Sequence, residues 1–486
     1  MACASLLAAL TACGTGPALT QPQLPAGTRH ANPLDALPVG VSAQALPERW
    51  WQLYNDPVLN RWVQQALINN QDLGQAEANL QAMLAGIGEF DAQRWPSTNL
   101  ELGAAYGKTH DDQTLARATD THAPAQWEFN PGIELAYQVD IWGQVRNAIE
   151  RAREQADAAR DALDLVRINV AAQTSRAYID QCAYGARIQV AEQSLQTLDR
   201  SVALIDRQRQ AGIATELDGA RLRSLREQVR AELPMLDARR RMAVYELAML
   251  SGQPATEPAA TASQCRAVPH LKAPLPAGDG WHLLERRPDI RKAERDLRAA
   301  TLEVDIVKAD LYPKVSFGAS LTSSSHPVNE LGDSRSVMFG IGPLISWQFP
   351  NIKANRARVS QAQALQQRQF ADFQGTALRA LKDVRQALAL YDGERQRGLS
   401  LEVALQQSQR GFDLAQDNYR AGAVDGLQLL DSERDLISVR ARQIEAQGRL
   451  ARSEINLFRA LGGNWQAQPA ASHALASSNP DAGTQP

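Results

Sequence analysis

Side chains that could carry out catalysis are scattered along this sequence of 486 residues. Its seven histidines show no His-Glu-x-x-His pattern and no other spacing typical of metal ligands. Residues 103–109 superficially resemble a phosphate-binding loop, but three residues separate Gly103 from Gly107 where such a loop requires four. The Gly-x-Ser-x-Gly and Gly-x-Gly-x-x-Gly motifs are absent from the sequence. We therefore predict that the protein is not an enzyme and carries no metal site and no cofactor.

One cysteine lies in a context that predicts a covalent modification. Residues 2–12 form an apolar run of the length typical of a signal peptide. The run ends in Leu10-Thr11-Ala12-Cys13, which resembles the bacterial lipobox, where the cysteine thiol is lipidated and becomes the new N-terminus. We predict a signal peptide at 1–12 and lipidation of Cys13. The first basic residue is Arg29, which indicates a start site placed too late; an apolar N-terminus that happens to contain a cysteine is the alternative.

The remaining cysteines are Cys182 and Cys265, because removal of the signal peptide discards Cys3. An exported location permits a disulfide between them. Their separation in the sequence leaves the pairing open, and the absence of a Cys-x-x-Cys pair argues against structural zinc.

The proline distribution indicates what kind of elements surround these residues. None of the 24 prolines lies in 132–233 or 351–468. Proline is excluded from helix interiors because it lacks an amide proton and clashes with the preceding turn. We predict two very long helical regions. With 44% hydrophobic residues, 22% charged residues and a net charge of −3, the sequence favours an ordered protein without a nucleic-acid surface.

An internal duplication organises these regions. The corresponding segments are Asp72-Leu73 with Asp289-Ile290, Trp95-Pro96 with Tyr312-Pro313, and Ala211-Gly212 with Ala421-Gly422. Each half is predicted to contain a helix, a strand, a variable loop, a strand, a long helix, a tight turn and a helix. The predicted segments are a lipidated N-terminal linker at 13–46, repeat 1 at 47–253, a linker at 254–281, repeat 2 at 282–463 and a disordered tail at 464–486.

Four segments alternate between apolar and other residues, which predicts β-strands. The alternating residues are Leu100, Leu102, Ala104 and Tyr106; Ile133, Leu135 and Tyr137; Val315, Phe317, Ala319 and Leu321; and Phe339, Ile341, Ile345 and Trp347. Each segment has the length of a tilted transmembrane strand, about ten residues. Four strands of an ordinary sandwich sheet are the alternative.

Heptad seams predict long coiled-coil helices between these strands. One seam runs through Ile149, Ala152, Ala156, Ala159, Leu163, Val166 and Val170, and another through Leu436, Val439, Gln443, Ala446, Leu450, Ser453 and Leu457. No apolar run reaches the roughly 18 residues of a transmembrane helix. Since the smallest membrane barrels have about eight strands, four transmembrane strands require several chains to share one barrel, and three chains would supply about twelve. We predict a mainly α, internally duplicated fold with a small β part.

Extended motifs in this order identify a family. They are residues 50–59 and 66–73, Glu285-Arg286-Arg287-Pro288-Asp289-Ile290, Ala309-Asp310-Leu311-Tyr312-Pro313 and Ala460-Leu461-Gly462-Gly463. The sequence resembles the TolC-like outer membrane factor family, in the lipoprotein branch that serves efflux pumps of the resistance-nodulation-division type. The resemblance implies a homotrimer whose four strands per chain form a shared outer membrane barrel, with a long α-helical coiled-coil barrel in the periplasm.

The resemblance also implies partners and a passive mechanism. A periplasmic adaptor protein and an inner-membrane pump would dock on the helical end, and the pump would supply the energy for export of small toxic compounds or drugs. Outer membrane lipid would surround the strands. Type I protein secretion is the alternative within the channel class, and an exported coiled-coil structural protein without a pore is the alternative outside it.

By matching position, two helix-turn-helix tips lie at 209–218 and 419–431. Gly212 and Gly422 are suited to the left-handed conformation that ends a helix, and the resemblance implies adaptor contacts at Gly212, Ile213, Gly422 and Ala423. The family places inward-facing residues near its aperture at positions matching Gln428 and Asp431. Three copies of Asp431 would form a ring of carboxylates that favours cations, and an exposed helix carboxylate is the alternative for this residue.

Overall fold

The computed structural model describes Leu34 and residues 37–254, 265–278, 286–347 and 351–463. The predicted signal peptide, Cys13 and the predicted 464–486 tail lie outside the described residues. None of the described helices carries an apolar stretch long enough to span a membrane.

Long helices dominate the chain, as the proline-free stretches predict. In chain order the elements are β1 (Val41–Ser42), α1 (Pro57–Asn69), α2 (Gln71–Ala92), β2 (Ser97–Gly107), α3 (His110–Ala118), β3 (Gln126–Val139), α4 (Gln144–Gln210), α5 (Glu216–Leu250), β4 (Leu275–Pro276), α6 (Pro288–Ala309), β5 (Lys314–Ser323), β6 (Val337–Ser346), α7 (Ile352–Arg420) and α8 (Gly426–Ala460). Short 3-10 helices occupy Trp50–Tyr54 and Val328–Glu330. The mainly α fold with a small β part is confirmed.

The chain divides into two units. In one unit, residues 79–159 and 292–374 supply strands β2, β3, β5 and β6 and the helical segments next to them in sequence. In the other unit, residues 24–78, 160–291 and 375–486 supply α1, α5, α8, the later part of α4 and the later part of α7.

The unit that contains α1, α5 and α8, called the helical unit below, has an aromatic and aliphatic core. Trp50 stacks on Phe458 with ring centroids 4.7 Å apart, and both side chains are buried. Leu59 from α1 and Leu247 from α5 are fully buried in the same cluster. Apolar contact thus binds the segment before α1 to the end of α8. Each large side chain removed from water stabilises the fold by about 2 kcal/mol.

The predicted seams face inward. Ile149, Ala152, Ala156 and Leu163 are buried along α4, and Leu436, Val439, Ala446 and Leu457 are buried along α8. The small residues in these seams permit close approach of helices. Outside these seams, α4 and α8 also approach closely at Gly448, where an added Cβ would meet the Ala183 Cβ at 3.0 Å.

Two local features differ from the predicted pattern. The first variable loop contains a helix, α3, which begins with a capping box between Thr109 and Asp112. Helix α5 continues through Pro234, at which a simple proline rule would end it. Pro234 is exposed, so water can satisfy the carbonyl that loses its amide partner.

A two-stranded parallel sheet joins the N-terminal segment to the linker. β1 pairs with β4, and the amide of Leu275 donates to the carbonyl of Gly40 at 2.8 Å. The Tyr391 hydroxyl on α7 donates to the same Gly40 oxygen at 3.2 Å. The N-terminal segment is therefore held on one side by the linker and on another by a helix.

A disulfide attaches this linker to α4. Cys182 and Cys265 are bonded, with Cα atoms 4.8 Å apart, which resolves the pairing that the sequence left open. One turn further along α4, the linker backbone passes so close that a Cβ on Gly185 would lie 2.1 Å from the Cys265 carbonyl oxygen. Glycine at this position is thus required by the contact.

We expect the double substitution Cys182→Ala and Cys265→Ala to lower the stability of the helical unit by about 2–4 kcal/mol, because the bond closes a loop across 83 residues. The measurement is the denaturation midpoint of the purified protein, with and without a reducing agent. Reductant should lower the midpoint of the parent protein and leave that of the double variant unchanged. Equal midpoints for parent and variant under oxidising conditions would contradict a stabilising role.

Candidate functional site

The sheet of the first unit has one continuous apolar face. Its strands pair in the order β2-β3-β5-β6, and all neighbours are antiparallel. The register places Leu100 opposite Ile133, Ile133 opposite Leu321, and Leu321 opposite Phe339. Because side chains alternate between faces, residues aligned in this way share a face. The four alternating sets predicted from the sequence therefore lie on the same side of the sheet.

This face is exposed in the single chain. The exposed fractions are 76% for Leu102, 82% for Phe339 and 71% for Ile341. Soluble proteins rarely expose a contiguous apolar surface of this kind, and such a surface indicates contact with lipid or with a partner.

Aromatic side chains border the apolar face at both ends of the strands. At one end Trp142 stacks on Tyr312 with centroids 4.5 Å apart, and Trp347 follows β6. At the other end Tyr106 lies 5.5 Å from Trp127. The indole of Trp142 also donates to the Pro313 carbonyl at 2.8 Å. Tryptophan and tyrosine side chains at both borders of an apolar band are typical of a protein that spans a membrane, because their polar atoms lie at the two interfaces with water.

The opposite face of the sheet is polar. Asn99, Glu134 and Ser320 lie across from one another in the register, and Glu101 and Glu128 have the same facing. The Ser324 hydroxyl donates to the Glu128 carboxylate at 3.0 Å. An apolar face and an acidic, polar face on one sheet are suited to lipid on one side and water on the other.

The two predicted tips have the same backbone geometry. Gly212 and Gly422 adopt φ angles of +72° and +75°. At the first tip the Ile213 amide donates to the Gln208 carbonyl at 2.9 Å, and at the second the Ala423 amide donates to the Asn418 carbonyl at 2.9 Å. Both ends are Schellman motifs, in which a left-handed residue closes the helix. The left-handed glycines predicted from the sequence are confirmed.

Side-chain caps start the returning helix at each tip. Thr215 and Asp218 form a capping box at α5, and Asp425 accepts from the Gln428 amide at 2.9 Å at α8. The hydrogen bonds from Thr215 hold the pKa of the Asp218 carboxyl below its usual value, and the slight burial of Asp218 does not offset them. Between the tips, the Tyr419 hydroxyl donates to the Gln208 side-chain oxygen at 2.6 Å. A side-chain hydrogen bond thus joins the two capped turns.

The predicted contact and aperture residues lie on the surface of these tips. Ile213 is 76% exposed, and Gly212, Gly422 and Ala423 are exposed as well. Gln428 and Asp431 are exposed on α8 and, being three residues apart, share one face of that helix. Among the described residues, no cation lies within ion-pairing distance of Asp431.

Sequence reasoning missed a buried carboxyl group in the helical unit. Glu454 on α8 is only 5% exposed, and its Oε2 atom accepts from the Tyr54 hydroxyl at 2.9 Å. Burial raises the pKa of Glu454 to about 7, against the hydrogen bond from Tyr54, which lowers it. Burial also raises the pKa of the Tyr54 hydroxyl. In the sequence Glu454 resembles any surface glutamate of an amphipathic helix, so no local signal distinguishes it.

A second buried carboxyl group lies near the aperture residues. Glu433 on α8 is 3% exposed and faces the Ser201 hydroxyl on α4 at 3.4 Å. Burial raises the pKa of Glu433. Within the described part of the chain, no group of three or more histidine, cysteine, aspartate or glutamate side chains could hold a metal ion.

Comparisons with known proteins agree on one family. The family model described as outer membrane efflux protein matches residues 62–253 and 282–463. The pyoverdine export outer membrane protein OpmQ of Pseudomonas aeruginosa is 31% identical over 94% of this chain and 95% of its own length. The cation efflux system protein CusC of Escherichia coli K12 is 27% identical over 94% of this chain and 97% of its own length.

A solved structure gives the same result for the fold. The outer-membrane channel OprN superimposes with a TM-score of 0.84 at 29% identity, covering 93% of this chain and all of that chain.

We expect Glu454→Gln to stabilise the protein at pH 8 and to have no effect at pH 4. The folded-state pKa of about 7 lies above the unfolded value of about 4.3, so ionisation opposes folding. The cost is absent below the unfolded pKa, grows as pH rises between the two values and is constant above the folded pKa, where it reaches up to about 4 kcal/mol. Glutamine keeps an oxygen for the Tyr54 hydroxyl and carries no charge.

The measurement is the apparent midpoint of thermal denaturation against pH for the parent and the variant. Glu402→Gln, an exposed change on α7, is the matched control and should show no pH-dependent difference. A stabilisation by Glu454→Gln that is the same at pH 4 and pH 8 would contradict the assignment.

Proposed function

The chain belongs to the outer membrane efflux protein family, and on that premise we propose that three copies form a passive duct through which an inner-membrane pump exports small toxic compounds or drugs. Proteins of this family are channels and not enzymes. The chain is the outer membrane component of a tripartite efflux system, and a periplasmic adaptor protein and the pump complete that system.

The observation that carries this proposal is the apolar face of the sheet with aromatic residues at both borders. Strands β5 and β6 have 10 residues each, enough to cross the hydrocarbon core when tilted. The apolar residues on this face would contact lipid, and the face with Glu101, Glu128 and Glu134 would line water. The sheet therefore supplies one sector of a channel wall.

The edges of the sheet require further copies. Among the described strands, β2 and β6 each have a neighbour on one side only. In lipid every unpaired backbone group costs several kcal/mol, because no water replaces the missing hydrogen bond. Pairing β6 of one copy with β2 of the next satisfies both edges, and three copies close a barrel of about twelve strands.

Exposed apolar stripes on the helices support the same assembly. Met235, Met242 and Met249 are more than half exposed on α5 and lie one heptad apart. Leu399, Val403 and Leu414 are more than half exposed on α7. The heptad spacing of the three methionines on the exposed side of α5 indicates a second coiled-coil seam. In the trimer these stripes are covered by helices of neighbouring copies.

The two reported relatives are named for different cargoes, pyoverdine and cations. Since both relatives align over more than nine-tenths of this chain and of their own length, the shared fold of the duct does not define the cargo. We infer that selection of the cargo lies in the pump and the adaptor.

We expect purified trimer in planar lipid bilayers to conduct ions, and Asp431→Ala to lower the preference for cations over anions by roughly twofold, because it removes a carboxylate from each copy. Conductance and reversal potential in a salt gradient are the measurements. Asp413→Ala, an exposed change on α7, is the control. A trimer that never conducts would reject the channel, whereas conducting trimers with unchanged conductance and selectivity in Asp431→Ala would reject only the aperture role.

The tips are proposed as the adaptor-contact surface. We expect Ile213→Asp to weaken binding of the adaptor about tenfold, because a charge replaces an apolar side chain that docking buries. Affinity for the immobilised trimer is the measurement. Leu115→Asp on α3 changes a similarly exposed residue outside both tips and should bind normally. Full affinity in Ile213→Asp would place the adaptor contact elsewhere.

Cys13 is proposed as the lipid anchor of the mature chain. We expect cells that express the protein to incorporate a radioactive palmitate label into it and Cys13→Ser to lose that label. Label retained in Cys13→Ser would show that another residue is modified.

A further inference from the structure

A cavity of about 300 Å³ lies in the helical unit between α4, α5 and α8. Its floor is apolar and includes Val190 of α4, Leu225, Val229 and Leu236 of α5, and Ile437 of α8. Leu225 is a member of a buried cluster with Leu198, Val202 and Ile205, and Val229 and Ile437 pack against that cluster. The floor is therefore the outer surface of a hydrophobic core.

Small side chains create the opening. Ala191 and Ser194 face it from α4, and Ser438 and Ala441 face it from α8. Larger residues at such positions normally insert into the facing helices as knobs and fill the space. The cleft is open to solvent, so a ligand that covers its apolar side chains would remove them from water.

Arginines surround the mouth of the cavity. Arg187 comes from α4, and Arg434 and Arg442 lie on the same side of α8, about two turns apart. Arg187 has Glu232 as a partner at 3.8 Å. In the described part of the chain, no carboxylate lies within 4 Å of Arg434 or Arg442. The mouth therefore holds two exposed guanidinium groups whose charge is not neutralised by a neighbouring side chain.

We propose that this cavity binds an amphipathic anion, a molecule with a carboxylate head and a single alkyl chain. The guanidinium groups of Arg434 and Arg442 offer planar pairs of N–H donors that match a carboxylate. The alkyl chain lies on Leu225, Val229 and Ile437. A volume of about 300 Å³ is at the lower end of small-molecule sites and fits a medium-length chain. The site goes beyond the channel function, because it lies in the wall of one chain and requires no pore.

Binding of decanoate to the purified trimer in nanodiscs tests this proposal. Radiolabelled decanoate below its micellar concentration is measured by equilibrium dialysis, and empty nanodiscs give the background. We expect saturable binding of one decanoate per chain. Acetate has the head without the tail, and decyl maltoside has the tail without the charge. Neither should compete at the concentration at which unlabelled decanoate does.

Two variants separate the charge from the space. Arg434→Gln with Arg442→Gln should weaken decanoate binding about tenfold or more, because both charge-assisted hydrogen bonds are lost. Ala441→Leu keeps the charges and fills part of the cavity, and it should weaken binding as well. Arg397→Gln with Arg410→Gln removes the same charge from exposed positions of α7 and should bind like the parent.

Trimer size and channel conductance confirm that each variant is folded, and they keep this test distinct from that of the channel. Binding that survives both Arg434→Gln with Arg442→Gln and Ala441→Leu would overturn the proposal. So would equal competition by acetate, which indicates an anion site without the apolar floor, or equal competition by decyl maltoside, which indicates partition into lipid. Absence of saturable binding to the parent trimer would show that the cavity takes no such ligand.

Discussion

The need to pair every backbone amide and carbonyl group in lipid governs this molecule. A sheet of four strands has two free edges, and none of the other described strands pairs with them. In the assembly proposed above, β2 of one copy meets β6 of another, and the apolar face becomes part of a closed wall. The helices add a separate requirement, since their outward stripes of methionine, leucine and valine are exposed in the single chain and need apolar contact.

Duplication is an economical way to build such a wall, because one pattern of helix, strand, strand and helical hairpin serves twice. The two tips show how closely the two sequence repeats agree, because each turn has a left-handed glycine and the same pair of amide-to-carbonyl hydrogen bonds. The tips also show where the two repeats have diverged. Thr215 with Asp218 starts one returning helix, and Asp425 starts the other. The two tips thus share one backbone geometry and present different side chains on it.

Periodic features were predictable from the sequence, and isolated ones were not. Alternation identified the four strands of the larger sheet and the face to which Leu100 or Phe339 belongs, because a sheet buries or exposes whole faces, whereas the two-residue strands β1 and β4 are too short to show a pattern. Heptad spacing identified the seams for the same reason. The partner of Cys182 and the burial of Glu454 depend on contacts between distant segments, so no local pattern reports them. The aromatic borders had a signal that was missed: tryptophan and tyrosine lie next to the strand ends.

The disulfide gives the two hairpins unequal mechanical character. The loop it closes contains the end of α4, the first tip and α5, so that hairpin is tied covalently to the linker at Cys265. The second hairpin, formed by α7 and α8, is held within the described structure by packing and hydrogen bonds such as that of Tyr54 with Glu454. The first hairpin therefore has a covalent cross-link to the linker in addition to its packing, whereas the second hairpin contains no cysteine and depends on non-covalent contacts. The two tips, although a hydrogen bond joins them, therefore lie on hairpins that resist force differently.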